Sequence, residues 1–127
     1  MDAAVLTYSL EEIVAEKLRA LLQQARMLDE HRWIRSRARD FNDLWRILRQ
    51  FGESLVIGGF RRRLAEKCAV RAVEFEGVED FLDARVLEHA ATTWQDWLGH
   101  LVPDSPSFQL VAGELKIQLQ LLLDGRD

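Results

Sequence analysis

Apolar residues recur every three or four positions along most of this chain, which is the spacing of one face of an α-helix. The clearest run is IVAEKLRALL at residues 13–22. Only KIQLQL at residues 116–121 alternates as a strand would. The pattern predicts an all-α fold, a helical bundle of about five helices. Residues 1–8 suit either a short N-terminal extended segment or a simple lead-in.

Local signals predict where the helices begin and end. Ser9 and Glu12 form a capping box, so the first helix is expected to run from Ser9 to about Gln24. Asp40 is expected to cap a second helix that Gly52 ends. Three more helices are predicted, at about 55–73, at 83–101 with Asp83 as its cap, and at 107–123.

Composition limits the class of protein. Apolar residues make up 48% of the chain and the net charge is −4, a globular balance that does not favour nucleic-acid binding by the whole surface. The single Cys68 cannot form an internal disulfide, which suits a reducing compartment such as a bacterial cytoplasm. No apolar run is long enough to span a membrane, and Met1-Asp2-Ala3-Ala4 does not begin a signal peptide.

Lys17 is a charge among the apolar positions of the first helix. Its four-carbon stem could lie on apolar surface while the ammonium reaches water. Alternatively, the ammonium meets an anion, either a carboxylate or a bound phosphate. Asp40 and Asp43 are available as partners if the second helix folds back on the first, although a cap and the helix dipole would also explain them.

Basic residues are concentrated between the first two helices. Five arginines and His31 lie within residues 26–39, against only Asp29 and Glu30. This segment is either a solvated connector or a surface for a polynucleotide. The three histidines have no metal-ligand spacing, and Cys68 on an apolar face is expected to be a core residue, so the sequence predicts neither a zinc site nor a cysteine nucleophile.

Two segments resemble the AbiEii/AbiGii nucleotidyltransferase toxins of bacterial toxin–antitoxin and abortive-infection systems. They are YSLEEIVAEKLRALLQ at residues 8–23 and RDFNDLW at residues 39–45, which follow the family patterns E-K-L-x-A-L and R-D-x-Y-D-L. The likeness is specific over residues 8–48. It implies one helical domain over 1–127, with a motif-bearing helix pair at 8–51 and a variable helical region at 54–127, like the C-terminal domain of an α/β nucleotidyltransferase toxin.

The resemblance also implies roles for individual residues. Lys17 would lie near the triphosphate of a nucleotide, and Asp40 or Asp43 would belong to the active site as a base or an organiser. The arginines at 26, 37 and 39 would bind the nucleotide or its acceptor, tRNA by analogy with the family. The sequence departs from the family pattern at two positions, with Gln24 in place of Arg and Asn42 in place of Tyr.

The sequence lacks the family's metal-binding motifs. It contains no Asp-x-Asp, and its one Gly-Gly, Gly58-Gly59, is followed by Phe60 instead of Ser or Thr. Mg²⁺ and a nucleoside triphosphate are implied for a complete family enzyme and not for this chain. We therefore expect the C-terminal helical portion of such a toxin, inactive alone and partnered by an antitoxin or by an N-terminal nucleotidyltransferase core.

A second hypothesis comes from another class of protein. The chain could be a non-catalytic helical interaction module that binds an antitoxin-like protein or a second copy of itself. It predicts an exposed apolar patch around Val5, Leu6 and the first helix, because surface that lacks a covering domain tends to recruit partners.

Overall fold

A computed structural model describes residues 3–32, 36–57, 60–96 and 107–124. Five α-helices lie within these ranges, together with one turn of 3₁₀-helix at Val78–Phe81, and the described residues include no strand. The predicted all-α class and the number of helices are confirmed. The helices are α1 Ala3–Asp29, α2 Ala38–Ile57, α3 Phe60–Val70, α4 Ala84–Trp94 and α5 Phe108–Asp124.

Helix α1 is longer than predicted at both ends. It begins at Ala3, so residues 3–8 are helical, and the extended segment that was one of the two alternatives for residues 1–8 is not found there. Ser9 lies inside the helix, because the residues before it include no Pro or Gly that would stop a helix from starting earlier. The helix ends where His31 takes a left-handed φ of 58° and the N–H of Arg32 donates to the carbonyl of Met27 at 2.8 Å.

Helix α2 continues past Gly52, where the sequence predicted its end. A glycine inside a helix costs less than about 1 kcal/mol, and burial of Leu55 against the core favours one further turn. The boundary between α2 and α3 therefore falls after Ile57, and the predicted helix at 55–73 is wrong at both ends. Gly58 and Gly59 lie outside the described residues.

The C-terminal half follows its predicted signals more closely. Asp83 caps α4, and its carboxylate accepts a hydrogen bond from the backbone N–H of Arg85 at 2.8 Å. The predicted continuation of this helix to residue 101 falls mostly outside the described residues. Helix α5 includes the alternating segment at 116–121, since four of its side chains pack inward at helical spacing, Val111, Leu115, Leu119 and Leu122.

Helix α2 lies at the centre of the fold, and its contact with α5 is the most extensive between any two helices described. Phe108 of α5 packs edge-on against Phe41 and Trp94, with ring centroids 5.7 and 5.0 Å apart. Trp45 donates its indole N–H to Glu114 of α5 at 2.8 Å. Helix α1 covers the other side and contacts α2, α3 and α4. None of the described helices is long and apolar enough to cross a membrane.

Candidate functional site

Lys17 and the two aspartates meet across α1 and α2. Lys17 Nζ lies 3.0 Å from Asp40 Oδ1 and 3.1 Å from Asp43 Oδ2. The connection between the helices reverses the chain, so α2 runs back along α1 and presents the carboxylates at the level of Lys17. The predicted ion pair across a folded-back helix pair is therefore confirmed.

The ammonium of Lys17 is stabilised by these carboxylates against its own burial. Its side chain is 23% exposed, so it does not reach freely into water. Burial by itself would lower the pKa of Lys17, but hydrogen bonds and charge attraction from Asp40 and then Asp43 outweigh it and raise the pKa above its ordinary value. Of the alternatives considered for Lys17, the structure shows the ammonium bound by carboxylates. Its contact with a phosphate stays a prediction.

Arg37 binds the other side of Asp40. Its Nη1 lies 2.9 Å from Asp40 Oδ2, and its Nη2 donates to the side-chain oxygen of buried Gln24 at 3.4 Å. Its Nε is buried and has no hydrogen-bond partner within the described residues. One oxygen of Asp40 is therefore paired with Lys17 of α1, and the other with Arg37, the residue just before α2. Sequence reasoning noticed Gln24 only as a departure from the family pattern and missed its contact with Arg37.

The expected cap role of Asp40 is wrong. Helix α2 begins two residues earlier, and Ser36 Oγ accepts from the backbone N–H of Ala38 at 3.2 Å. Asp40 lies in the first turn, where the helix dipole favours a negative charge, whereas Asp43 lies one turn further along and not at the third helical position. The favourable interaction of Asp40 with the dipole of α2 would therefore explain an aspartate at this position even without a role in catalysis.

The three predicted binding arginines have different surroundings. Arg37 and Arg26 both line a pocket of about 370 Å³ that also includes Arg32 and Arg71. Arg26 is engaged by Glu30 at 3.5 Å and by the carbonyl of Ala72. Arg39 is exposed and outside this lining. The pocket lies where α1 and α3 end, and the partial negative charge of helix C-termini gives arginines there a structural reason as well.

A second opening lies directly beside the ion pairs. It has a volume of about 300 Å³, and Lys17, Asp43 and Arg46 form its polar side. Arg46 is exposed and makes no ion pair within the described part of the chain. Sequence reasoning missed Arg46, although its position three residues after Asp43 places it on the same face of α2.

The carboxylates of this site do not fit a magnesium ion. Mg²⁺ needs several oxygen ligands in octahedral geometry, and the described residues contain no group of three or more potential metal ligands. The ammonium of Lys17 lies between Asp40 and Asp43, where a shared cation would have to sit, and Arg37 engages the remaining oxygen of Asp40. Cys68 is likewise a core residue, as expected, and burial raises the pKa of its thiol.

The family can now be assigned. The family model for the nucleotidyl transferase AbiEii toxin, of type IV toxin–antitoxin systems, matches residues 1–114. The chain belongs to this family. The resemblance that the two motifs indicated is confirmed, and the match extends well beyond residues 8–48 into the region expected to be variable. No curated protein and no solved structure matches the chain.

Nucleotidyl transfer is the activity for which the family is named. Because AbiEii toxins belong to toxin–antitoxin systems, an antitoxin is the expected partner of a family member. The family match covers both helices that carry Lys17, Asp40 and Asp43.

Proposed function

We propose that this chain is the helical part of an AbiEii-type nucleotidyltransferase toxin and that it contributes a phosphate-binding lysine and an active-site aspartate. The observation that carries the proposal is the position of Lys17 Nζ, 3.0 and 3.1 Å from two carboxylates at the edge of an open cleft. A lysine held this firmly beside a cleft is suited to meet a ligand at a fixed position.

Lys17 retains the capacity to bind a phosphate. An ammonium has three N–H donors, and the two carboxylates account for two of them. Exposed Arg46, on the same face of α2, adds a second cation at the cleft. The triphosphate of a nucleotide would therefore meet one donor of Lys17 together with the guanidinium of Arg46.

Asp40 fits the role of an organiser better than that of a base. Both of its oxygens are engaged by cations, and it is the only contact that joins Lys17 to Arg37 in the described structure. Asp43 is more exposed, and within the described residues its ion pair is with Lys17. We therefore propose that Asp40 positions Lys17 and Arg37, and that the arginine pocket with Arg26 and Arg37 meets the polynucleotide acceptor.

The metal-dependent step needs carboxylates that this sequence does not supply as an Asp-x-Asp pair. We propose that a nucleotidyltransferase core provides them and that this chain alone binds a nucleotide without transferring it. Incubation with radiolabelled nucleoside triphosphates, Mg²⁺, and tRNA or protein acceptors tests this directly. Label transferred by the chain alone would show that the chain is complete as an enzyme.

Nucleotide binding is tested with a matched pair of lysine variants. Lys67 also lies between two carboxylates, 2.9 Å from Glu12 and 3.0 Å from Glu16, but it does not line the cleft. We expect Lys17→Met to weaken binding of nucleoside triphosphate at least tenfold in calorimetric titrations, and Lys67→Met to leave it unchanged. If the two folded variants bind the nucleoside triphosphate with equal affinity, Lys17 is not part of the nucleotide-binding site.

A second candidate function is protein interaction, and the exposed face of α5 favours it. Leu110, Ile117 and Leu121 are exposed and recur at spacings of seven and four, which places them on one side of the helix. Val5 and Leu6, where such a patch was predicted, have side chains outside the described residues.

Light scattering tests this second function without a known partner. If α5 joins two copies of the chain, the molar mass should be that of a dimer, and Ile117→Asp should reduce it to that of a monomer. Gln109→Asp, also exposed on α5, is the control for the added charge. A monomeric wild-type chain at high concentration would leave only binding to another protein, such as an antitoxin.

A further inference from the structure

The cleft beside Lys17 has an apolar end that the roles proposed above do not use. Ile13, Ile47 and Phe51 line it. Ile13 is 43% exposed, although it precedes Lys17 by one turn on the same face of α1 and was expected in the core. Ile47 and Phe51 are also partly exposed. Three large apolar side chains that face a concave opening favour a ligand with apolar surface.

The apolar end lies next to the charged end in a fixed order. Lys17 is level with Asp43. Ile13 precedes Lys17 by about one turn of α1, and Ile47 and Phe51 follow Asp43 by about one and two turns of α2. Each turn rises about 5.4 Å, so a ligand in the cleft would place its apolar group about one to two turns from its charged group.

The charge at the polar end favours an anion. Lys17 and Arg46 line it with two positive charges against the one carboxylate of Asp43, while Asp40 behind Lys17 is also paired with Arg37. The surplus positive charge resides on Arg46, which is exposed and lines the cleft. Electrostatics thus orient a ligand with its anionic group towards Lys17 and Arg46 and its apolar group towards Phe51.

We propose that this cleft is a nucleobase-binding subsite, in which the base of a nucleotide stacks on Phe51 and contacts Ile13 and Ile47. The exposed amide of Gln50, which also lines the cleft, can donate to and accept from the edge of the base. The phosphates then extend towards Lys17 and Arg46. The volume of about 300 Å³ lies at the lower end of the range for small-ligand sites. This inference rests on the proposed function, because it assigns the other end of the same nucleotide.

Calorimetric titration of the intact chain with nucleoside triphosphates and with inorganic tripolyphosphate tests the subsite. We expect the nucleotides to bind about tenfold more tightly than tripolyphosphate, because only they have a base to stack on Phe51. Phe51→Leu keeps apolar volume but removes the aromatic ring, and it should abolish this difference. Phe51→Tyr keeps the ring and should preserve it. Phe75→Leu removes an aromatic ring outside the cleft and should change neither affinity.

The outcomes separate the base subsite from the phosphate site. If tripolyphosphate binds as tightly as the nucleotides, or if folded Phe51→Leu retains the difference, the base subsite is wrong. In that event, loss of tripolyphosphate binding in Lys17→Met would still support the phosphate role of Lys17. If neither ligand binds the wild-type chain, both proposals fail. Thermal unfolding of each variant verifies that the fold is retained.

Discussion

The ammonium of Lys17 and the carboxylate of Asp40 lie 3.0 Å apart, although 23 positions separate them in the sequence. This contact joins α1 to the first turn of α2, and Lys17 also borders the cleft beside it. Arg37 adds a second cation on the same carboxylate, so Asp40 has more of its charge compensated inside the protein than Asp43 has.

The two aspartates should therefore differ in their effect on stability. Asp40→Asn leaves two part-buried cations with one carboxylate fewer, and we expect it to lower the free energy of unfolding by about 2 kcal/mol. Asp43 is 44% exposed, so Asp43→Asn should cost less than about 1 kcal/mol. Urea unfolding at neutral pH measures both changes. Equal costs would mean that Arg37 does not contribute to the cluster.

Glu16 should give acid sensitivity to the contact between α1 and α3. Arg19 and Lys67 hydrogen-bond its carboxylate and lower its pKa from 4.5 to about 2. A carboxyl group whose folded pKa is depressed stabilises the fold above its unfolded pKa and loses that contribution as pH falls towards the folded value. We expect the difference in unfolding free energy between wild type and Glu16→Gln to shrink from about pH 4.5 to about pH 2.

The size of that difference is limited by solvent. Glu16 is 49% exposed, so its contribution at pH 7 should stay below about 1 kcal/mol. Glu66→Gln is the control, because Glu66 is exposed on α3 and its nearest cation, Arg62, is 3.9 Å away. Similar pH profiles for the two variants would contradict a specific role of Glu16.

The sequence predicted the helical class and the meeting of Lys17 with Asp40 because both depend on periodicity and charge. Apolar spacing defines which face of a helix is buried, and a lysine on that face needs an anionic partner. The helix boundaries were less predictable. Ser9 can begin a helix, but the residues before it have good helix propensity and α1 starts earlier. Gly52 can end a helix, but the burial of Leu55 extends α2 beyond it.

The cleft could not be predicted from the position of residues around one helix. Ile13 and Gln24 both fall on the predicted inward side of α1, yet Ile13 is exposed and Gln24 is buried. Burial depends on what packs opposite each turn. Gln24 meets Arg37, whereas Ile13 faces the opening beside α2. That information is tertiary, and a single helical pattern does not contain it.

Cys68 offers a probe of global unfolding. It is the only cysteine in the chain, its side chain is 1% exposed, and burial raises the pKa of its thiol, so little reactive thiolate reaches solvent. We expect a thiol-specific reagent to label the native chain very slowly, and to label it at a rate that follows the unfolded fraction as urea is added. Fast labelling in native buffer would mean that α3 opens locally.

The turn after α3 contains a residue that is not suited to its conformation. Ala72 has a left-handed φ of 57°, and the N–H groups of Ala72 and Val73 donate to the carbonyls of Ala69 and Cys68 at 3.0 and 3.1 Å. This is the pattern of a helix C-cap in which glycine is favoured, because a Cβ atom is strained there. Ala72→Gly should therefore raise the free energy of unfolding by about 0.5 to 1 kcal/mol. Arg26 contacts Ala72 through the backbone carbonyl and not through the side chain, so that contact should remain.

Ala65→Gly is the matched control. Ala65 is exposed inside α3, where glycine removes helix propensity, so the same substitution should lower the free energy of unfolding by about 0.5 to 1 kcal/mol. Opposite signs for the two variants in urea unfolding would establish that the backbone conformation at Ala72, and not the loss of a methyl group, causes the gain. A loss of stability at both positions would show that residue 72 does not adopt the left-handed conformation in solution.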